Sequence, residues 1–163
     1  MTDWLPPIAE FDGDWDRYCD GLYDHFEDSL RQARFFGIRV GRRRAPVVDG
    51  KPDGFWHVTS EGWLKGSDER IPDLRRCERV PWIAPMISAC GTDRVLCWAN
   101  TRPSARGGTS IVIALPTYEY AVILRARSGS SGPYMMLVTA FPLRPSRANQ
   151  FRAEYEANGE YRP

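Results

Sequence analysis

Lysine is nearly missing from this chain. Of its 22 basic residues, all but Lys51 and Lys65 are arginine. The charge offered to a partner is therefore a planar, forked guanidinium, which grips phosphate or carboxylate through paired hydrogen bonds where an ammonium is only a point charge. A GC-rich genome would also enrich arginine. Long apolar runs are absent: none approaches the roughly 20 residues that cross a bilayer. The start, Met1-Thr2-Asp3-Trp4, has no basic stretch leading into a hydrophobic one. A soluble, cytoplasmic protein with no membrane partner is expected. The four cysteines, Cys19, Cys77, Cys90 and Cys97, form no C-x-x-C pair and are spaced too irregularly for a disulfide framework or a structural zinc site. There is no Gly-x-x-x-x-Gly-Lys-Ser/Thr phosphate loop, no Gly-x-Ser-x-Gly nucleophile elbow and no His-Glu-x-x-His helix. Asp12, Asp14 and Asp16 start like a calcium loop, but Arg17 and Tyr23 stand where that loop needs Gly and Glu. No metal and no cofactor are expected.

What is present is distributed unevenly. The first 30 residues hold nine acids against Arg17, a net −8, while the other 133 carry 21 bases and 12 acids, a net +9. A basic, arginine-rich body points to nucleic acid or another phosphorylated partner. The acidic segment is expected to lie against that body and compete with RNA for it. A chain of 163 residues with 42% hydrophobic content suits one domain. It is read as a single unit, 1–163, with an acidic helical segment (1–34) and an α+β body (35–163).

Between Asp14 and Leu30, Trp15, Tyr18, Cys19, Leu22, Tyr23, Phe26 and Leu30 recur at helical spacing, with acids in the first turn and Arg31 and Arg34 beyond the end. His25 falls on the polar side of that helix. Residues 35–41 alternate like a short strand and run into Arg42-Arg43-Arg44, a basic loop. Asp49-Gly50 and Pro52-Asp53-Gly54 mark a turn-rich connection. Pro72 and Asp73 open a short helix carrying Arg75, Arg76 and Arg79, with Arg75 and Arg79 on one face. β-rich runs follow at 95–99, 109–115, 118–127 and 134–141, separated by Arg106-Gly107-Gly108, Pro116-Thr117 and a Ser/Gly turn. The short connections argue for an antiparallel meander. Met135, Leu137, Thr139 and Phe141 are expected on one face of its last strand. Ser146–Ala157 reads as a closing helix capped by Ser146 and ended by Gly159. The fold class is α+β: N-terminal helix, short Arg-rich helix, four-stranded antiparallel β-meander and C-terminal helix.

The stretch Gly54-Phe55-Trp56-His57-Val58-Thr59-Ser60-Glu61-Gly62 holds one of only two histidines. Its alternation suits a short strand on which Phe55, His57 and Thr59 share a face. A histidine at an element's end is placed to exchange protons near neutral pH. The alternative is a half-buried histidine with no chemistry. Thr139 is a hydroxyl inside an apolar strand, and most such threonines are simply strand formers.

That stretch resembles, together with Arg70 to Ile83, Tyr118 to Leu124, Leu137 to Phe141 and the Arg147 to Glu156 tail, the phage- and prophage-encoded branch of the barnase–EndoU–colicin–RelE (BECR) nuclease superfamily. The resemblance covers most of the chain from about residue 37. It implies a small α+β fold with helices ahead of a four-stranded antiparallel sheet, and a toxin-type endoribonuclease, a hydrolase that cleaves RNA without metal. It places His57 at a recurrent catalytic position and extends catalytic roles to Thr59, Arg75, Arg79 and Thr139. Arg42, Arg43, Arg44, Arg76, Tyr118, Tyr120, Arg144 and Arg147 are the expected nucleic-acid contacts. Where relatives carry a histidine after the last strand, this chain has Pro145-Ser146-Arg147. The implied partners are RNA and an immunity or antitoxin protein. A base for the 2′-hydroxyl, an acid for the departing oxygen and cations for the phosphoryl oxygens would suffice for the reaction. The alternative is a catalytically inactive protein of the same fold that binds RNA, a ribosome or a host protein.

Overall fold

The computed structural model describes residues 2–63, 70–101 and 109–163. The turn expected at Arg106-Gly107-Gly108 lies outside the described residues. Helix α1, Trp15–Gln32, starts where the Asp14 carboxylate accepts the Arg17 N–H at 3.2 Å and stops at Ala33, whose backbone is extended. Tyr18, Cys19, Leu22, Phe26 and Leu30 are its buried stripe, as the helical spacing predicts.

Two strands follow, β1 (Arg34–Phe35) and β2 (Ile38–Arg42), turning through Phe36 and Gly37, both at positive φ. A second tight turn at Asp49-Gly50, again with both φ positive, joins β3 (Val47–Val48) to β4 (Lys51–Pro52). The chain then enters helix α2, Asp53–Thr59. This replaces the strand expected around His57. Pro52 provides the extended entry and Asp53 the first-turn acid. The seven-residue span is buried at every position except His57, and a short helix covered nearly all round shows no amphipathic period to set against alternation. Its close fit is visible at Gly54, where a Cβ would sit 2.7 Å from Arg42 Cβ.

Strands β5 (Ser60–Trp63) and β6 (Arg70–Pro72) pair antiparallel. Helix α3, Leu74–Glu78, is capped by Asp73, whose carboxylate accepts the Arg75 N–H at 3.0 Å. A 3-10 turn, Val80–Trp82, then leads into helix α4, Ile83–Ser88. Strands β7 (Leu96–Thr101), β8 (Thr109–Ala114), β9 (Tyr120–Gly129) and β10 (Gly132–Pro142) come next, and helix α5, Pro145–Asn158, closes the fold. Arg144, not Ser146, is its N-cap residue, and no side chain caps it.

The fold is α+β as expected, but its sheet is larger than the predicted meander and mixed. The order is β1-β2-β10-β9-β8-β7, antiparallel except for β2, which pairs parallel to β10 with Val40 opposite Met135 and Arg42 opposite Leu137. The meander β7 to β10 is one side of it. The reason is edge satisfaction: β10 runs 11 residues, and its outer edge needs partners that only a strand from before the meander can supply. A register shift between Leu137 and Thr139 also overturns the expected single face for Leu137 and Phe141. Leu137 packs in the main core and Phe141 with the opposite cluster.

Both faces of the sheet are covered. The main core joins Phe26 and Phe55 with Ile87, Leu124 and Leu137, from α1, α2, α4 and the sheet. On the other face Trp98, Val112, Ala121 and Phe151 form a smaller cluster beneath α5. Among the described residues no helix is long and apolar enough to cross a membrane.

Candidate functional site

Beyond the register shift β2 no longer accompanies β10, and α2 and α3 occupy that edge. The Thr139 hydroxyl donates to the His57 carbonyl at 3.1 Å, and Arg76 Nη1 donates to the same oxygen at 3.2 Å and to the Ser60 carbonyl at 3.0 Å. The carboxyl end of α2, where the carbonyls have no helical partners, is thereby pinned to the sheet. Thr139 and Arg76 hold the His57 backbone in place.

On the side chain itself, His57 Nε2 lies 3.1 Å from Asp53 Oδ2, one helical turn earlier, and Arg43 Nη1 lies 3.5 Å from the same oxygen. The Asp53 side chain is only 7% exposed while His57 is 32% exposed. A buried carboxylate thus holds an imidazole on one side and a guanidinium on the other, with the imidazole reaching solvent. Such a carboxylate orients the ring. Asp53 was missed by the sequence reading. The signal was the Asp53-x-x-x-His57 spacing, which brings the two together only on a helix.

Two arginine-lined clefts flank α2. The first, of about 600 Å³, lies between β6 with α3 and the β10–α5 junction, and takes Arg75, Arg76, Arg144 and Arg147 together with Glu61 and Phe141. The second, of about 450 Å³, lies between β2 and the β9–β10 hairpin and takes Arg39, Arg42, Arg43, Arg44 and Tyr134. Helix α2 is tied to a lining arginine of each, to Arg76 through the His57 carbonyl and to Arg43 through Asp53. His57 itself lines neither cleft.

The remaining expected residues divide. Thr59 is 1% exposed and donates its hydroxyl back to the Phe55 carbonyl at 3.0 Å. On a helix it points away from His57, not along a shared face. Arg79 does not join Arg75 in the first cleft: its guanidinium lies 5.2 Å from the centre of the Trp82 ring and donates to the Arg75 carbonyl. Tyr120 is fully buried, its hydroxyl without a hydrogen-bond partner among the described residues, and burial pushes its pKa upward. Tyr118 is 7% exposed and stacks under Arg152. Arg42 makes a two-pronged pair with Glu27 of α1, at 2.8 and 3.2 Å, whereas Arg44 is exposed. With Lys51–Asp20 at 2.7 Å, that pair joins the acidic helix to the body, so α1 meets the second cleft at Arg42.

All four cysteines are free and buried. Burial pushes the Cys77 thiol up to about 12, which keeps it from serving as a nucleophile near neutral pH. Among the described residues no three His, Cys, Asp or Glu side chains gather in a group that could hold a metal ion. No family model, no curated protein and no solved structure matches the chain.

Proposed function

We propose that this chain is a metal-independent endoribonuclease of toxin type, of phage or prophage origin and cytoplasmic, related to the BECR superfamily that its motifs resemble. The observation that carries the reading is the Asp53–His57 pair with Arg43 on the same carboxylate, set between two arginine clefts. RNA phosphates engage the clefts. His57 takes the proton of a 2′-hydroxyl, the 2′-oxygen bonds to phosphorus, and the 5′-oxygen leaves with its electron pair and takes a proton from water, His57 then releasing its own proton to solvent. A 2′,3′-cyclic phosphate and a 5′-hydroxyl result. Arg43 supports the charge that develops. An immunity or antitoxin protein covering the same clefts would silence the reaction.

Purified protein should cut RNA in EDTA, leave cyclic phosphate ends and spare DNA. His57→Ala should lower the rate by roughly 10²–10⁴-fold, the usual worth of one proton-transfer group. RNA cut equally well by that variant would sink the mechanism. The second reading is a nuclease-fold protein that binds RNA, a ribosome or a host protein without cutting. It is favoured by the burial of Thr59 and Tyr120 and by the use of Arg76 to hold backbone carbonyls. Wild-type protein that binds RNA and never cuts it would select this reading.

A further inference from the structure

The first cleft has features that the cleavage mechanism does not use. Arg76 and Arg147 both lie over the Phe141 ring, at 5.6 and 5.8 Å from its centre, and Arg147 also lies 5.1 Å from that of Phe151. Stacking fixes these guanidinia in the wall. Arg76 has Asp73 beside it at 3.6 Å. Arg147 has no carboxylate within ion-pair distance among the described residues, and its Nε is buried without a hydrogen-bond partner. Arg75 likewise has no carboxylate partner among the described residues. A half-buried guanidinium such as that of Arg147, held in a wall without counter-charge, is costly unless an anion completes it. Helix α5, 14 residues long and without a side-chain cap, starts in the same wall, and its first-turn amides at Ser146 and Arg147 have no acceptor within the helix.

The rest of the lining narrows the anion. Pro72, Leu74 and Pro142 give the cleft an apolar side, with Leu74 41% exposed. Inorganic phosphate would leave that side unused, whereas a nucleoside would cover it. Glu61 and Asp73 lie beside Arg144 and Arg76, which leaves Arg75 and Arg147 as the lining guanidinia without a carboxylate among the described residues. A phosphomonoester carries about two charges and three terminal oxygens, and so suits converging forks and amides better than a diester. The volume, about 600 Å³, is of the size that small-molecule sites take.

We propose that this cleft is a phosphomonoester site, taking either a free nucleoside monophosphate or the phosphorylated end of a nucleic-acid strand. It stands whether or not the chain cuts RNA. The test compares binding of adenosine 5′-monophosphate, adenosine and inorganic phosphate, and of a 2′-O-methyl RNA octamer with a 5′-phosphate or a 5′-hydroxyl. The methylated strand cannot be cleaved, so failure of the His57 reaction leaves the result unaffected. The monophosphate should bind at least about 10-fold tighter than adenosine and than inorganic phosphate, and the phosphorylated octamer at least about 10-fold tighter than its hydroxyl twin. Arg147→Gln should abolish both preferences. Arg75→Gln, at an exposed position that cannot unfold the chain by leaving a cavity, should weaken them severalfold, while Arg31→Gln on α1 controls for net charge. A monophosphate binding as tightly as the octamer assigns the site to free nucleotides, and a tighter octamer assigns it to strand ends. Equal affinity for phosphorylated and unphosphorylated ligands, or preferences left unchanged by Arg75→Gln, would overturn the proposal. Inorganic phosphate binding as tightly as the monophosphate would overturn its nucleoside part.

Discussion

The two arginine clefts hold their charge by different balances of ring stacking and carboxylate pairing. In the second, Arg42 and Arg43 are partnered by carboxylates of other elements, Glu27 on α1 and Asp53 on α2. Their charge helps assemble the fold, and the lining guanidinia without a carboxylate partner among the described residues are Arg39 and Arg44. In the first, Arg147 is held by the Phe141 and Phe151 rings with no carboxylate partner among the described residues, and stacking orients a guanidinium without neutralising it; Arg76, over the same Phe141 ring, also has Asp73 at 3.6 Å. The lesson is that arginine count does not measure anion affinity; what holds each guanidinium does. The second cleft should break when a carboxylate is removed, and the first when an aromatic is removed.

The largest effect is therefore expected at Phe151. It is the buried residue of α5, fully enclosed, with edge contacts to Trp98 at 5.7 Å and Phe141 at 6.2 Å. Phe151→Ala should cost about 3–5 kcal/mol, lowering the melting temperature by roughly 2–4 °C per kcal/mol for a chain of this size. Phe151→Leu, a milder change, should keep the chain folded while loosening Arg147. Nucleotide binding in the first cleft should then weaken with salt-dependent RNA binding at the second unchanged. Equal losses at both clefts would show that they are one surface.

Next in size is Glu27→Gln. The Glu27–Arg42 pair is two-pronged, its side chains only 21% and 23% exposed, and Glu27 holds the Arg42 pKa upward. Losing charge-assisted bonds at such a depth should cost about 2 kcal/mol, readable in denaturant titrations. Freed from its carboxylate, Arg42 should also bind phosphate better, so RNA affinity at low salt should rise as stability falls. A variant that loses both would mean that Glu27 positions Arg42 for RNA.

The same contrast explains which parts of the structure could be read from the sequence. Helix α1 and the meander carry long periodic runs, and in these the pattern decides the element; α5 was legible from Phe151 and Tyr155 four apart and from the Gly159 that ends it. Helix α2 does not, because seven residues buried nearly all round fit strand and helix alike, and so the Asp53 partner of His57 was hidden. The parallel β2–β10 pairing was hidden too, since nothing local to Ile38–Arg42 names a strand nearly a hundred residues away. Thr139 drew notice as a hydroxyl in an apolar strand, and its partner proved to be the His57 carbonyl. Tyr120, expected to contact nucleic acid, and Thr59, expected among the catalytic residues, both lie buried, because polar groups in amphipathic runs can be buried as easily as exposed. Deleting residues 1–30 would remove Tyr18, Leu22, Phe26 and Leu30 from the main core, so the acidic helix is a structural layer as well as a counter-charge.

The smallest effect on stability is expected at Glu61, and it sharpens the comparison most. Its contact with Arg144 is 3.4 Å long between side chains 60% and 75% exposed, a pair that solvent screens and that holds two long side chains in one geometry. Glu61→Gln should change stability by no more than about 0.5 kcal/mol, the reverse of Glu27→Gln. Yet the carboxylate is the nearest competitor for Arg144 at the first cleft and a source of repulsion for an incoming anion. Its removal should tighten adenosine 5′-monophosphate binding by roughly threefold to tenfold at low salt, with the gain shrinking as ionic strength rises. If affinity falls instead, Glu61 holds Arg144 in position for the ligand, and both clefts would then depend on a carboxylate to aim an arginine.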